Sequence, residues 1–376
     1  ILNKYYVSIK VDKEERPDID SIYMAVCQAF TGSGGWPTSI FMTADQKPFF
    51  AGTYFPKVAR YGSIGCKELL LIIHQKWKNE RDALLFSADK ITETIHQHHA
   101  SASQADETLL DAALKWYKKN FDASFGGFGV APKFPTPHNL LFLMQQYEKH
   151  GNTQTLNMAE VTLQNMYGGG LFDHIGYGFC RYSTDRYYLV PHFEKMLYDN
   201  ALLILTYCKA YELTGRPFYL EVAQKTASYV LNEMTAPNGG FYSAQDADSD
   251  GEEGKYYVFT PEEIIGLLGQ VDGTAFCERF GITKAGNFEG KSIPNLFRAK
   301  DLTDQRFDPF LPALREYRRG RTSLHTDDKI LTAWNALMVA ALCRLYRCSR
   351  NPRYLEAAKR AQDFIENNLC SQNTLY

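Results

Sequence analysis

Residues 187–203 read YYLVPHFEKMLYDNALL. A proline is followed by His192, Glu194, Lys195 and Asp199 before the stretch turns apolar. An imidazole beside carboxylates is the equipment of general acid–base chemistry. Read as a helix from Pro191, which suits a first helical position, the stretch puts His192 and Asp199 on one face, about 10 Å apart along the axis. The positive end of a helix favours a neutral imidazole, so His192 is the candidate base. Asp199 would orient it or return a proton. The plainer alternative is a solvated, salt-bridged helix start.

Four other stretches carry matching chemistry. GGFYSAQDADSDGEEGKYYVF offers Asp246 as a catalytic carboxylate and Asp248 as a substrate contact. The spacing Asp246, Asp248, Asp250, Gly251 opens like a calcium loop. Tyr257 stands where the bidentate Glu belongs, so no metal is expected, and DSDGEEG reads as a solvated turn. SLHTDDKILTAWNALM adds Asp328 as a further catalytic carboxylate and Trp334 as a stacking platform, although Asp327 or Asp328 also fits a helix cap. LFDHIGYGFCRYSTDRYYLV reads as an aromatic β-hairpin whose Arg181 and Tyr182, with Glu194, suit hydroxyls or carboxylates. KFPTPHN contributes Phe134 to the same substrate-binding set. The run His96–His99 looks like a metal cluster, but a helix end in solvent is the simpler reading.

The elements that must position these groups are helical and repeated. Residues 200–223 align without gaps onto 335–358 at an offset of 135, with ten of 24 positions identical. A weaker third copy starts at His138. Each copy is a helix, a turn and a second helix, and such hairpins bury their apolar faces against neighbours. The expected architecture is an all-α (α/α) toroid of helical hairpins over 101–376, with loops gathered at a cleft. Asn139, Asn200 and Asn335 occupy equivalent places, so they should serve the hairpin itself. Positions that differ between copies, His192 against Asp327 and Asp199 against Trp334, should line the cleft.

Residues 1–100 read differently. YYVSIKV alternates as a strand, Asp18 is placed to cap a helix, and TSIFMT and QKPFFAGTYFP follow as strands before an amphipathic helix from Lys67. With GSGGWP ahead of the first of these strands, the order is similar to the second half of a thioredoxin fold, with Pro37 expected to be cis. The redox cysteines of that fold would lie upstream of Ile1. ASASQADE, near 100–107, reads as the linker. The eight cysteines form no C-x-x-C pair, which favours a reduced, cytoplasmic setting. A net charge of −2 gives no footing for a nucleic acid. No apolar run reaches the roughly 18 residues of a membrane span. No cofactor is indicated.

The succession VDKEERPDID, TGSGGWP, AGTYFP, APKFP, LVPHFEKMLYDNA, DADSDGEEGKYYVF and DDKILTAWNALM resembles the spermatogenesis-associated protein 20-like family along the whole chain. The resemblance implies a thioredoxin-like domain, here lacking its first half, fused to a six-hairpin toroid similar to that of N-acylglucosamine 2-epimerases and related glycosidases. The closing hairpins would then follow Tyr376.

These observations lead to a carbohydrate-active enzyme, most simply a sugar epimerase or isomerase. His192 would remove a proton beside the carbonyl of an open-chain sugar, with Asp199, Asp246 or Asp328 assisting. Arg181, Tyr182 and Trp334 would hold the substrate. A glycosidase would instead use two carboxylates such as Asp246 and Asp328. A second class is a redox or chaperone-like protein that docks a protein client at the Pro37 loop. A third is a catalytically inert toroid used for protein interaction.

Overall fold

The computed structural model describes residues 1–60, 62–98, 108–372 and 374–375. The linker expected at 100–107, and His99 of the histidine run, lie outside the described residues. Contacts divide the chain into two compact units, Ile1–Leu109 and Leu110–Tyr376.

The first unit comprises α1 (Leu2–Tyr5), α2 (Pro17–Thr31), an antiparallel hairpin of β1 (Ser39–Met42) and β2 (Pro48–Gly52), α3 (Cys66–Asn79) and α4 (Arg81–His98). Its core is small. Phe49 packs with Leu69, Ile73 and Ala88, while Ala51 packs with Val26 and Cys27. The apolar spacing of α3 explains which face it buries: Ile73 lies one turn on from Leu69 and Leu70. The Trp36–Pro37 peptide is cis.

Two expectations for this unit need correction. Residues 6–11 form no strand, and Val7 and Ile9 are 93% and 80% exposed. Strand pairing needs a neighbour's N–H and C=O groups, and the only sheet among the described residues of this unit is the two-stranded β1–β2. Asp18 does not cap α2. Pro17 opens that helix, and the Asp18 carboxylate instead pairs with Arg16 at 2.7 Å.

The second unit starts within α5 (Thr108–Asn120) and is built from helical hairpins. These are α6 (Pro137–His150) with α7 (Thr153–Gly168), and then, after the short strands β3 (Tyr182–Ser183), β4 (Pro191–His192) and β5 (Lys195–Met196), α8 (Leu197–Thr214) with α9 (Pro217–Glu233). An insertion follows: β6 (Ala244–Gln245), β7 (Asp248–Ser249), β8 (Glu252–Glu253), α10 (Pro261–Leu268), α11 (Gln270–Arg279) and α12 (Leu311–Arg321). Then β9 (Thr326–Asp327) leads into the hairpin of α13 (Thr332–Ser349) and α14 (Pro352–Asn368). Helix α8 packs against both α6 and α13, so the first helices of the three hairpins stand side by side. One continuous apolar core runs through the unit. The unit is thus predominantly helical, with side-by-side hairpins as the toroid expectation requires.

The hairpin turns follow from local chemistry. Helices α6, α8 and α13 end in left-handed residues, Gly151, Gly215 and Arg350, each donating its N–H four residues back to a tyrosine carbonyl. Pro217 and Pro352 then open the return helices. The repeated asparagines have structural work. Asn200 accepts the Phe179 N–H at 2.8 Å and donates to the Phe179 carbonyl at 3.1 Å. Asn335 does the same to Phe241, at 2.8 and 3.0 Å. Asn139 differs, accepting from the Tyr117 hydroxyl.

Candidate functional site

Three short strands gather the loops at the start of the inner helices. In the sheet β5–β6–β9, Lys195 pairs with Gln245 and Gln245 with Thr326, while Met196 pairs with Ala244 and Ala244 with Asp327. Separately, β3 pairs with β4, setting Tyr182 opposite His192.

This pairing overturns the helix expected from Pro191. Residues 191–192 and 195–196 are strands, and α8 begins only at Leu197. Their backbone groups are committed to Tyr182, Ser183, Ala244 and Gln245, so no helical ladder forms there. His192 and Asp199 therefore do not share a helix face, and the argument from the helix end does not apply to His192. Lys195 also leaves the expected rim. Its ammonium is buried, donating to Asp173 at 2.8 Å and to the Tyr177 carbonyl at 2.7 Å, while Arg318 meets the same carboxylate at 2.9 Å. The two cations hold the Asp173 carboxyl well below its usual range despite full burial. Asp122, with Lys133 and Arg186, repeats the device. The hairpin expected over 171–190 is found only at 182–192, where β3 pairs with β4, because residues 171–180 instead form a loop closed by a Phe172–Phe179 bridge.

A connected cluster remains at the rim. Arg181 pairs with Glu194 at 2.7 Å. His192 Nε2 lies 3.8 Å from Glu194, and its Nδ1 lies 2.6 Å from Glu253. The rings of Phe134, Tyr182 and His192 form a run, stacked at 4.7 and 5.1 Å between centroids. Arg181 also sits beside Tyr198, whose ring meets Trp334 edge-on at 4.8 Å. Next to this pair is Asp199, only 7% exposed, with Oδ2 unpartnered among the described residues. Burial pushes its carboxyl up to about 7, against the pull of Arg181. Burial likewise pushes the Tyr198 hydroxyl up to about 12. A carboxyl that titrates near neutrality can give or take a proton under ordinary conditions.

The structure thus brings together Phe134, Arg181, Tyr182, His192, Glu194, Asp199 and Trp334. It does not bring in the other carboxylates as a catalytic pair. Asp246 and Asp328 are exposed and follow opposite ends of the three-stranded sheet, Asp246 beside the Lys195 end and Asp328 beside the Met196 end. Asp246 accepts the Asp248 N–H at 3.2 Å, and Asp248 pairs through the backbone with Glu253 in a small hairpin. Neither Asp327 nor Asp328 caps α13, which starts at Thr332. Among the described residues, no group of three or more His, Cys, Asp or Glu converges on a metal position.

Two members of the cluster escaped the sequence reading. Tyr198 adjoins Asp199 and was within reach of a local argument. Glu253 lies 61 residues from His192, in a stretch read as a solvated turn, and no local pattern points to it. The buried ion clusters left a trace: FDASFGGF at 121 and FDHIGYGF at 172 share the Asp and the closing Gly-Phe.

Residues 1–96 match a family model described as Thioredox_DsbH, protein of unknown function, DUF255. Human spermatogenesis-associated protein 20 is 35% identical over 416 residues, covering 98% of this chain and 53% of that protein. The protein of the same name from Rattus norvegicus is 35% identical over 387 residues, covering 90% and 49%. The chain spans about half the length of the curated relatives it matches. Among solved structures, an inactive variant of an α-1,6-mannanase of Salegentibacter sp. with α-1,6-mannotriose is 11% identical, covers 82% of this chain and 62% of that one, and has a TM-score of 0.39. A sugar epimerase from a ruminal bacterium is 16% identical, covers 69% and 85%, and has a TM-score of 0.33. No helix among the described residues is long and apolar enough to cross a membrane. The chain belongs to the spermatogenesis-associated protein 20-like family.

Proposed function

We propose that the second unit is a carbohydrate-active enzyme of the epimerase or isomerase type, moving a proton beside the carbonyl of an open-chain sugar. The observation that carries this reading is Asp199: a buried carboxyl with an unpartnered oxygen, raised to about 7, beside the Arg181–Glu194 pair. Burial and a nearby charge that together retune an acid are typical of proton-transfer sites. His192 and Asp199 are the proton-transfer groups, and Arg181 is placed to steady the oxygen on which charge develops. The outer faces of Phe134 and Trp334 suit the apolar face of a sugar ring. The same raised carboxyl also suits the acid of a glycosidase, with Glu194 as the second carboxylate.

The test is a screen of mono- and disaccharides by thermal shift, followed by incubation of each stabilising sugar in D2O. A sugar of this class raises the melting temperature, and deuterium enters at the carbon beside its carbonyl. His192→Ala abolishes the exchange. Release of a new reducing end without carbon-bound deuterium selects the glycosidase instead. If no sugar stabilises the parent protein, the enzyme reading fails and a binding scaffold takes its place.

For the first unit a separate reading rests on Trp36, which is 56% exposed beside Pro37. This loop offers an apolar seat for a protein client. Client capture that is lost in Trp36→Ser tests it.

A further inference from the structure

We infer that Glu253 is the positioning residue of the rim: it fixes His192 in the tautomer that leaves Nε2 free to move a proton. The inference rests on the reading of His192 as a proton-transfer group.

The geometry around the imidazole supports it from three sides. Glu253 Oε1 lies 2.6 Å from Nδ1. An ionised carboxylate can only accept a hydrogen bond, so the proton of this contact belongs to Nδ1. A neutral imidazole carries one N–H, which leaves Nε2 bare. The nearest carboxylate oxygen on that side, from Glu194, is 3.8 Å away, beyond hydrogen-bond range. Tyr182 stacks against the ring at 5.1 Å with planes inclined by 27°, fixing its tilt. The open edge of the imidazole therefore faces the Arg181–Glu194 pair, the polar side of the cluster.

Glu253 is delivered by a hairpin built to hold it. Strands β7 and β8 pair Asp248 with Glu253 and Ser249 with Glu252. Asp250 and Gly251 between them both have positive φ, +52° and +78°, the pattern of a type I′ turn with its preferred Asp-Gly sequence. The turn is tied down where Asp250 accepts from the Thr322 hydroxyl at 2.7 Å. At the other end, the Gly254 N–H donates to Ala247 at 3.0 Å. Gly254 has φ +76°, and an added Cβ would overlap the Phe193 ring. Phe193 itself stacks on Tyr257 at 5.2 Å. Glu253 and His192 are thus chain neighbours of two residues, Gly254 and Phe193, that touch in the packed interior. The register of the pair is set by packing and not by the hydrogen bond alone. The role is one of orientation, as when a carboxylate holds a catalytic histidine in one tautomer.

The test reads the imidazole directly. Long-range proton–nitrogen correlation spectra on histidine-labelled protein, with His192 assigned by His192→Gln, are recorded in mildly alkaline buffer. The parent should show Nδ1 protonated and Nε2 bare. Glu253→Ala should lose this preference, with both nitrogens moving to exchange-averaged positions. Glu253→Gln, whose amide oxygen still accepts, should keep it. Glu253 is exposed, so these variants should fold normally. On any sugar found to exchange deuterium, Glu253→Ala should lower kcat by about 10²-fold with KM little changed, and Glu253→Gln should recover part of the loss. A parent with Nε2 protonated, or a tautomer indifferent to Glu253→Ala, overturns the inference even if sugars turn over. Absence of any sugar chemistry with the tautomer behaving as described sinks the enzyme reading and leaves the positioning contact standing.

Discussion

A carboxyl that is 7% exposed and lacks a partner for one oxygen is costly to ionise, and Asp199 shows the cost as a raised titration, to about 7. This has a consequence for stability. Between about pH 4 and pH 7 the unfolded chain has released the proton while the native carboxyl still holds it. Stability from this group is therefore greatest below pH 4 and falls as pH rises towards 7, by about 4 kcal/mol at ~1.4 kcal/mol per pH unit. Asp199→Asn cannot ionise and escapes the loss. Its stability relative to the parent, measured from urea midpoints on either side of this window, should grow with pH while proton exchange on substrate disappears. Asp173 works in the opposite sense. Lys195 and Arg318 depress its titration, so its contribution is full above its ordinary carboxylate range and is lost in acid. Asp173→Ala strands two buried cations and should cost about 3–5 kcal/mol, seen as a lowered melting temperature.

Helices α8 and α13 are each joined to the loop before them by one asparagine, and both use the same pair of backbone groups on an aromatic residue. Those backbone groups are buried, so removing the side chain leaves an N–H and a carbonyl without partners. Asn335→Ala should destabilise the protein by about 2–4 kcal/mol, with Asn200→Ala comparable, measured by chemical denaturation. The strands just ahead of α8 show why the start of that helix was misplaced. Pro191 and acidic residues are good helix openers in isolation, but the backbone of four residues, 191–192 and 195–196, was claimed by strands from elsewhere in the chain. Propensity within one segment is worth tenths of a kcal/mol per residue, and several inter-strand hydrogen bonds with a buried Lys195–Asp173 contact outweigh it.

The molecule carries two separate sets of cores, a small one in the first unit and a large continuous one in the second. Units with their own cores unfold as distinct steps. Calorimetry should resolve two transitions. Phe49→Ala, which opens a cavity in the first unit at a cost of about 3 kcal/mol, should lower only one of them, and Asp173→Ala only the other. At this scale much was legible in the residues. The offset of 135, the prolines that open α9 and α14 and the shared Asn200 and Asn335 all act over a few residues, where periodicity and cap chemistry determine the outcome, so the helical hairpins could be read without coordinates. The site could be read only as an inventory. That Asp199 is buried without a partner, that Lys195 turns inward to Asp173, that Asp246 and Asp328 stand at opposite ends of a sheet, and that Glu253 meets His192 across 61 residues were all decided by tertiary structure. The reason is physical: solvent exclusion and contact between distant side chains arise only when strands from separate loops pair, and no repeat or spacing along the chain encodes which will meet.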